Sequence, residues 1–219
     1  MIQPLNALFY PNAEFDSLMI PAIFREIYQQ RLYDNIPINK ESVMVDLGAN
    51  IGLVTQYFKD KVKIIYAVEP AKEHFTALKQ NKEYNHWDNV EIFNLAISDK
   101  DGEANLYHNI NNHTSHSLTQ NNQQGQEVVK TMRLDTFFEE NNIEKVDFLK
   151  FDVEGAENII IRDESFAKVA KKIQYILIEF HSYENWEKKE NLKDLMKYLK
   201  RLGFHLQGWR MAWIAFYSR

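Results

Sequence analysis

An apolar run that ends in an acid and passes at once into a glycine turn constrains this chain more than any other feature. The run is Val43-Met44-Val45-Asp46-Leu47-Gly48-Ala49-Asn50-Ile51-Gly52, followed by a helix-like pattern from Leu53 to Lys61. It reads as a buried strand, a tight turn and a helix N-terminus. Glycine has no Cβ, so backbone can approach a ligand closely there. The first free N–H groups of the helix then face that ligand. A second apolar strand, Ile64-Ile65-Tyr66-Ala67-Val68, ends in Glu69. A carboxylate at the end of the second strand of an open parallel sheet is placed to hold ribose hydroxyls.

The loop also discriminates between cofactors. A dinucleotide site needs Gly-x-Gly-x-x-Gly so that backbone can pack against a pyrophosphate. This chain has Asp-x-Gly-x-Asn-x-Gly and lacks the third glycine. Asp46 would repel a pyrophosphate and would suit an α-ammonium group. S-adenosylmethionine carries an ammonium, a carboxylate, a sulfonium and a ribose, and no phosphate. The acid-plus-glycine loop fits it better than NAD. From these ten residues alone, a purely structural strand-turn-helix with Asp46 as a cap stays open.

The rest of the chain alternates strand and helix. Strands are predicted at Val43–Leu47, Ile64–Val68, Val90–Ile97, Val146–Phe151 and Tyr175–Phe180, and a closing pair at Phe204–Trp209 and Ala212–Tyr217. Helices are predicted at Leu53–Lys61, after Pro70, at Thr136–Asn141, Ser165–Lys172 and Asn191–Leu202. Asp101-Gly102 reads as a turn into an extended Glu103–Tyr107, and Glu127–Leu134 resumes an extended pattern. This order argues for an α/β, doubly wound sheet with helices on both faces. Phe15–Leu32 carries apolar residues at helical spacing, broken at Pro21, so residues 1–40 read as a small N-terminal helical extension and 41–219 as the main domain.

His108–Gln126 is rich in Asn, Gln, Ser and His and has almost nothing to bury, so it reads as a mobile loop that could close over a substrate. Its histidines, His108, His113 and His116, are irregularly spaced with no carboxylate beside them, and no metal is assigned to them. The 219 residues include 45% hydrophobic side chains, enough for a sizeable core, and a net charge of −5 that argues against a broad basic nucleic-acid face. There is no cysteine, which excludes disulfides, thiolate zinc sites and a cysteine nucleophile and fits a cytoplasmic protein. No signal peptide and no membrane-spanning stretch is read, and the oligomeric state is not encoded in any pattern.

The blocks VMVDLGANIG (Val43–Gly52), Val68-Glu69-Pro70, Ala96-Ile97-Ser98-Asp99, Leu134-Asp135-Thr136-Phe137 and DFLKFDVEGAE (Asp147–Glu157) together resemble the FkbM family of S-adenosylmethionine-dependent methyltransferases, in that family's order. The last block is the most specific. The resemblance runs from about Val43 to His181. It implies a class I methyltransferase (Rossmann-like) sheet of seven strands, the last one antiparallel, and methyl transfer to an oxygen of a sugar, polyketide or related small molecule. It implies that Asp46, Gly48, Asn50 and Gly52 surround the methionine part of the cofactor and that Glu69 binds the ribose. By the same resemblance Ala96, Ile97 and Ser98 lie by the adenine, and Asp152 sits closest to the sulfonium and the acceptor.

The candidate chemistry concentrates at strand ends. Asp46, Glu69, Asp152 and Glu179 close four strands and should converge on one edge of the sheet. A hydroxyl acceptor must lose a proton, and Asp152, Glu154, Glu179 and His181 are the candidate bases. Glu179 and His181 alternate onto one side if the strand stays extended, and a histidine there could take a proton at neutral pH. His181 could equally cap the strand or bond to Glu179. Glu157 reads as a helix-start acid. Asp152, Glu154, Glu179 and His181 would also suit Mg²⁺ or Mn²⁺, but no spacing demands a metal and none is assigned. Trp186, Trp209 and Trp213 could stack on a sugar or simply pack. Three other functions stay open: a non-enzymatic partner that kept the fold, an NAD-linked oxidoreductase disfavoured by the missing glycine, and an N-methyltransferase.

Overall fold

The computed structural model describes residues 21, 23–108, 118, 125–181, 187–210 and 213–218. In chain order these form a π-helical turn Arg25–Gln29, β1 Val43–Leu47, α1 Leu53–Phe58, β2 Ile64–Val68, α2 Lys72–Tyr84, β3 Val90–Phe93, β4 Ala96–Ser98, β5 Gly102–His108 and β6 Gly125–Arg133. There follow α3 Leu134–Glu140, β7 Val146–Phe151, α4 Glu157–Arg162, α5 Glu164–Val169, β8 Ile173–Glu179, α6 Glu187–Arg201, β9 Phe204–Arg210 and β10 Trp213–Ser218.

Seven strands make one sheet in the order β3-β2-β1-β7-β8-β10-β9, and β4, β6 and β5 make a second sheet of three. β1, β2, β3, β7 and β8 pair in parallel, while β10 runs antiparallel to both β8 and β9. This is the expected class I methyltransferase sheet with its last strand reversed. The strand order reverses between β1 and β7. In an open α/β sheet that reversal leaves a crevice at the carboxyl ends of the strands.

The chain buries apolar residues on both faces of the sheet. Val45, Leu47, Leu149, Phe151, Ile176 and Ile178 belong to one core cluster, and Met44, Phe148, Tyr175 and Leu177 to the other. β7 is buried at every position, as a central parallel strand must be. The described part of the N-terminal segment joins the second cluster through Ile27, Tyr33 and Ile36. Residues 1–20 lie outside the described residues, as do Trp186, His113 and His116 and nearly all of the His108–Gln126 loop. No helix among the described residues is long and apolar enough to cross a membrane.

One expected strand is corrected. Val90–Ile97 is not continuous: β3 stops at Phe93, and Ala96–Ser98 pairs with β6 in the second sheet. Asn94 causes the break, because its amide donates to the carbonyls of Glu69 and Pro70 at 2.9 Å each. A side chain that bonds neighbouring backbone offers the chain an alternative to the ladder. α4 is a helix the periodicity did not predict; at six residues it is too short to show one.

Candidate functional site

The crevice opens into a cavity of about 410 Å³. Gly48, Asn50, Glu69, Ala96, Ile97, Asp152, Glu154, Glu179 and His181 all line it. Asp46, Gly52 and Ser98 do not. Nine of the expected site residues thus share one cavity lining, and three do not.

Asp46 is fully buried, and its cation comes from the chain itself. The register sets Asp46 of β1 directly against Lys150 of β7. Lys150 Nζ lies 3.2 Å from Asp46, 3.1 Å from Asp152 and 2.9 Å from the Gly48 carbonyl. The Thr55 hydroxyl donates to the other Asp46 oxygen at 3.1 Å. Burial works against the Lys150 charge, but Asp152 and Asp46 outweigh it and hold its pKa above the ordinary lysine value. Lys150 is the residue sequence reasoning missed. A lysine inside the fully buried run Phe148–Phe151 was the available signal, since a buried ammonium needs a partner.

The glycine turn is shaped by close approach. Gly48 has φ +77°, and a Cβ there would meet the Asp152 carbonyl oxygen at 1.8 Å. Gly52 has φ +94° and serves packing: a Cβ would meet Leu78 and the Trp87 ring at 2.8 Å. The loop is tied from outside as well. Asn81 donates to the Ile51 carbonyl at 2.8 Å. Glu69 accepts from the N–H groups of Asn50 at 2.8 Å and Ala71 at 2.9 Å. An ionised carboxylate has about four lone-pair sites, so Glu69 can still receive two hydroxyls. Ala96 and Ile97 give the same end of the cavity an apolar wall, while the Ser98 hydroxyl turns to Asp99 at 3.1 Å. A carboxylate with spare acceptor sites, apolar lining and a glycine turn are compatible with a nucleoside cofactor without phosphate.

The opposite end is acidic and built around His181. Its Nδ1 lies 2.9 Å from Glu157, and its Nε2 lies 3.2 Å from Glu154, 3.9 Å from Asp152 and 4.0 Å from Glu179. Glu157 is buried at the start of α4, where it also accepts from the Gly155 N–H at 3.1 Å. Glu154 sits in a left-handed conformation, φ +52°, which turns its carboxylate back toward the histidine. Burial opposes the imidazolium, but the Glu157 hydrogen bond and the charges of Glu154, Glu157 and Asp152 raise the His181 pKa to about 10. Burial, partly offset by His181 and reinforced by Asp152, raises Glu154 to about 8. Burial and Asp152 raise Glu179 to about 8 as well.

Of the two readings left open for His181, these contacts favour the one in which it bonds its neighbours. With carboxylates on both ring nitrogens it already holds its proton. Glu154 and Glu179, poised near neutrality, are the groups able to accept one. The three-residue set Asp152, Glu154 and His181 has metal-ligand proximity, with ligand atoms within 4.8 Å of one another. A histidine that donates through both nitrogens offers no lone pair to a cation.

The same shifts fix a pH dependence of stability. All three groups bind protons more tightly folded than unfolded, so stability falls as pH rises. The His181 contribution is complete below its unfolded value of 6.5 and is lost as pH rises through about 10. The cost of Glu154 and Glu179 is absent below 4.5 and complete above about 8. Thermal unfolding of the ligand-free protein is expected to give a lower Tm at pH 9 than at pH 6, with a slope on the order of 1 kcal/mol per pH unit. His181→Gln should flatten it. A Tm that rises over this interval would contradict the proton assignment.

The comparisons with known proteins agree with this geometry. The model of the methyltransferase FkbM domain matches residues 46–206. Methyltransferase 1 of Beauveria bassiana is 32% identical over 167 residues, covering 66% of this chain and 67% of that protein. The methyltransferase FkbM structure from Methylobacillus flagellatus superposes with a TM-score of 0.56 at 13% identity, over 85% of this chain and 46% of that one. SMU.1697c from Streptococcus mutans, in complex with SAH, superposes with a TM-score of 0.54 at 12% identity, over 87% of this chain and 97% of that one. The low identities of the two structures make them evidence of fold alone; the match over most of the sequence decides membership. The chain belongs to the FkbM family of S-adenosylmethionine-dependent methyltransferases.

Proposed function

We propose that the protein methylates a hydroxyl group of a small molecule, such as a sugar, glycoside or polyketide, with S-adenosylmethionine as donor. The observation that supports this reading is one cavity lined by Glu69 and the glycine turn together with the acids Glu154 and Glu179. The net charge of −5 and the acids at that end favour a small acceptor over a polyanionic nucleic acid. Residues 41–219 would form the catalytic domain, with 1–40 as its extension.

Bound there, the cofactor supplies a methyl group already activated on a sulfonium, so the protein's share is alignment and proton removal. Glu69 would hold the ribose, and the Gly48–Asn50 turn the methionine part. Asp152, fixed by Lys150, would stand beside the methyl group. Glu154 would take the proton of the acceptor hydroxyl, and the His181 imidazolium would hold Glu154 in place.

Calorimetric titration with S-adenosylmethionine tests the cofactor half, and a methyl-transfer screen over sugars, glycosides and amines tests the acceptor half. Glu69→Ala removes charge-assisted hydrogen bonds worth roughly 1.5–3 kcal/mol each. Cofactor affinity is expected to fall about tenfold or more while circular dichroism stays unchanged. Unaltered affinity in a folded Glu69→Ala would remove Glu69 from the cofactor site.

A further inference from the structure

The cavity has a wall that the family motifs do not supply. Ile23, Glu26 and Tyr33 precede the matched region and Trp213 follows it, yet all four line the cavity. They gather at its acidic end. The Tyr33 and Trp213 rings meet edge to face with centroids 6.1 Å apart, Trp213 is paired in register with Glu179, and the Lys150 ammonium stands 6.0 Å from the Trp213 ring. Glu26 is half-buried there; burial and the Asp152 charge raise its pKa, and the Lys150 charge offsets part of that.

What Glu26 lacks is an ion-pair partner of its own. Among the described residues it makes no ion pair and no side-chain hydrogen bond. Lys150 is taken by Asp46, Asp152 and the Gly48 carbonyl. His181 is taken by Glu157 and Glu154, and its approach to Glu179, at 4.0 Å, is beyond hydrogen-bonding distance. A half-buried carboxylate that lines a cavity with Tyr33 and Trp213, and makes no ion pair of its own, is a receptor for a positive group.

We propose that Glu26 is a specificity-determining residue that receives an ammonium group on the acceptor, so that the molecule methylated is an amine-bearing alcohol of the amino-sugar or amino-alcohol class. The inference rests on the methyl-transfer reading and narrows it. The ammonium anchors the acceptor and, while protonated, has no lone pair with which to attack. The nucleophile is a hydroxyl of the same molecule, presented to Glu154. Glu26 and Trp213 lie outside the residues 46–206 that the family model matches.

The test is calorimetry on the protein saturated with S-adenosylhomocysteine, titrated with methyl glucosaminide and methyl glucoside, which differ by one amine. The amino sugar is expected to bind about tenfold tighter or more, the range of one charge-assisted hydrogen bond. Glu26→Gln keeps the shape and removes the charge. It should abolish the preference and leave S-adenosylhomocysteine affinity unchanged. Equal binding of the two sugars, binding of neither, or a preference that survives Glu26→Gln overturns the proposal. So does magnesium chloride that binds the same protein and displaces the amino sugar, which would assign these acids to a metal. Failure of S-adenosylhomocysteine itself to bind would overturn the methyl-transfer reading and this proposal with it; intact cofactor binding with no amine preference overturns the acceptor assignment alone.

Discussion

Lys150→Met is expected to lower the stability of the protein by about 3–5 kcal/mol, the cost of stripping one partner from a buried charge group. The substitution keeps the length of the side chain and its packing beneath Trp213 but leaves Asp46 and Asp152 facing each other without a cation. It also releases the Gly48 carbonyl, so the turn that would hold the cofactor loses a fixed point. Urea unfolding should show the loss as a shift in midpoint at constant slope. Adding Asp46→Asn to Lys150→Met should restore part of it, because the repulsion then has one charge fewer. A loss below about 1 kcal/mol would mean that the three groups are not a coupled unit.

Glu154→Gln is expected to reduce kcat for methyl transfer by about 10²–10⁴, the typical worth of a general base, with cofactor affinity near normal. In the unaltered protein kcat should rise with pH as Glu154 ionises near 8, and fall again as the His181 imidazolium that holds it deprotonates near 10. The rising limb should vanish in the variant. Should Glu154→Gln turn over normally while Glu179→Gln does not, the proton goes to Glu179. A slow Glu154→Gln with equally weakened cofactor binding would make Glu154 a structural residue of the turn it occupies.

The motif blocks were legible because their constraints are local. A strand ending in an acid, a turn needing positive φ at Gly48, and an acid closing the next strand can each be recognised within about ten residues. The convergence of Glu69, Asp152, Glu154, Glu179 and His181 followed from parallel strands that end on one edge. The Asp46–Lys150 pair was not legible because the partner lies 104 positions away and is chosen by register rather than by spacing. The break at Asn94 escaped for a similar reason, since the carbonyls it binds belong to the turn after β2. The charge of His181 was not legible because it is set by surroundings, here Glu157 at the start of α4 and Glu154, that only folding brings to the ring.

By itself, then, the sequence determined the doubly wound sheet and the family, since periodicity, turn chemistry and motif order are properties of neighbouring residues. The tertiary structure alone decided which acids face the cavity, which are consumed by Lys150 and His181, and that Glu26, Tyr33 and Trp213 close it from outside the family region. Burial and the sum of nearby charges set those outcomes, and both depend on residues that only folding brings within a few ångströms of one another.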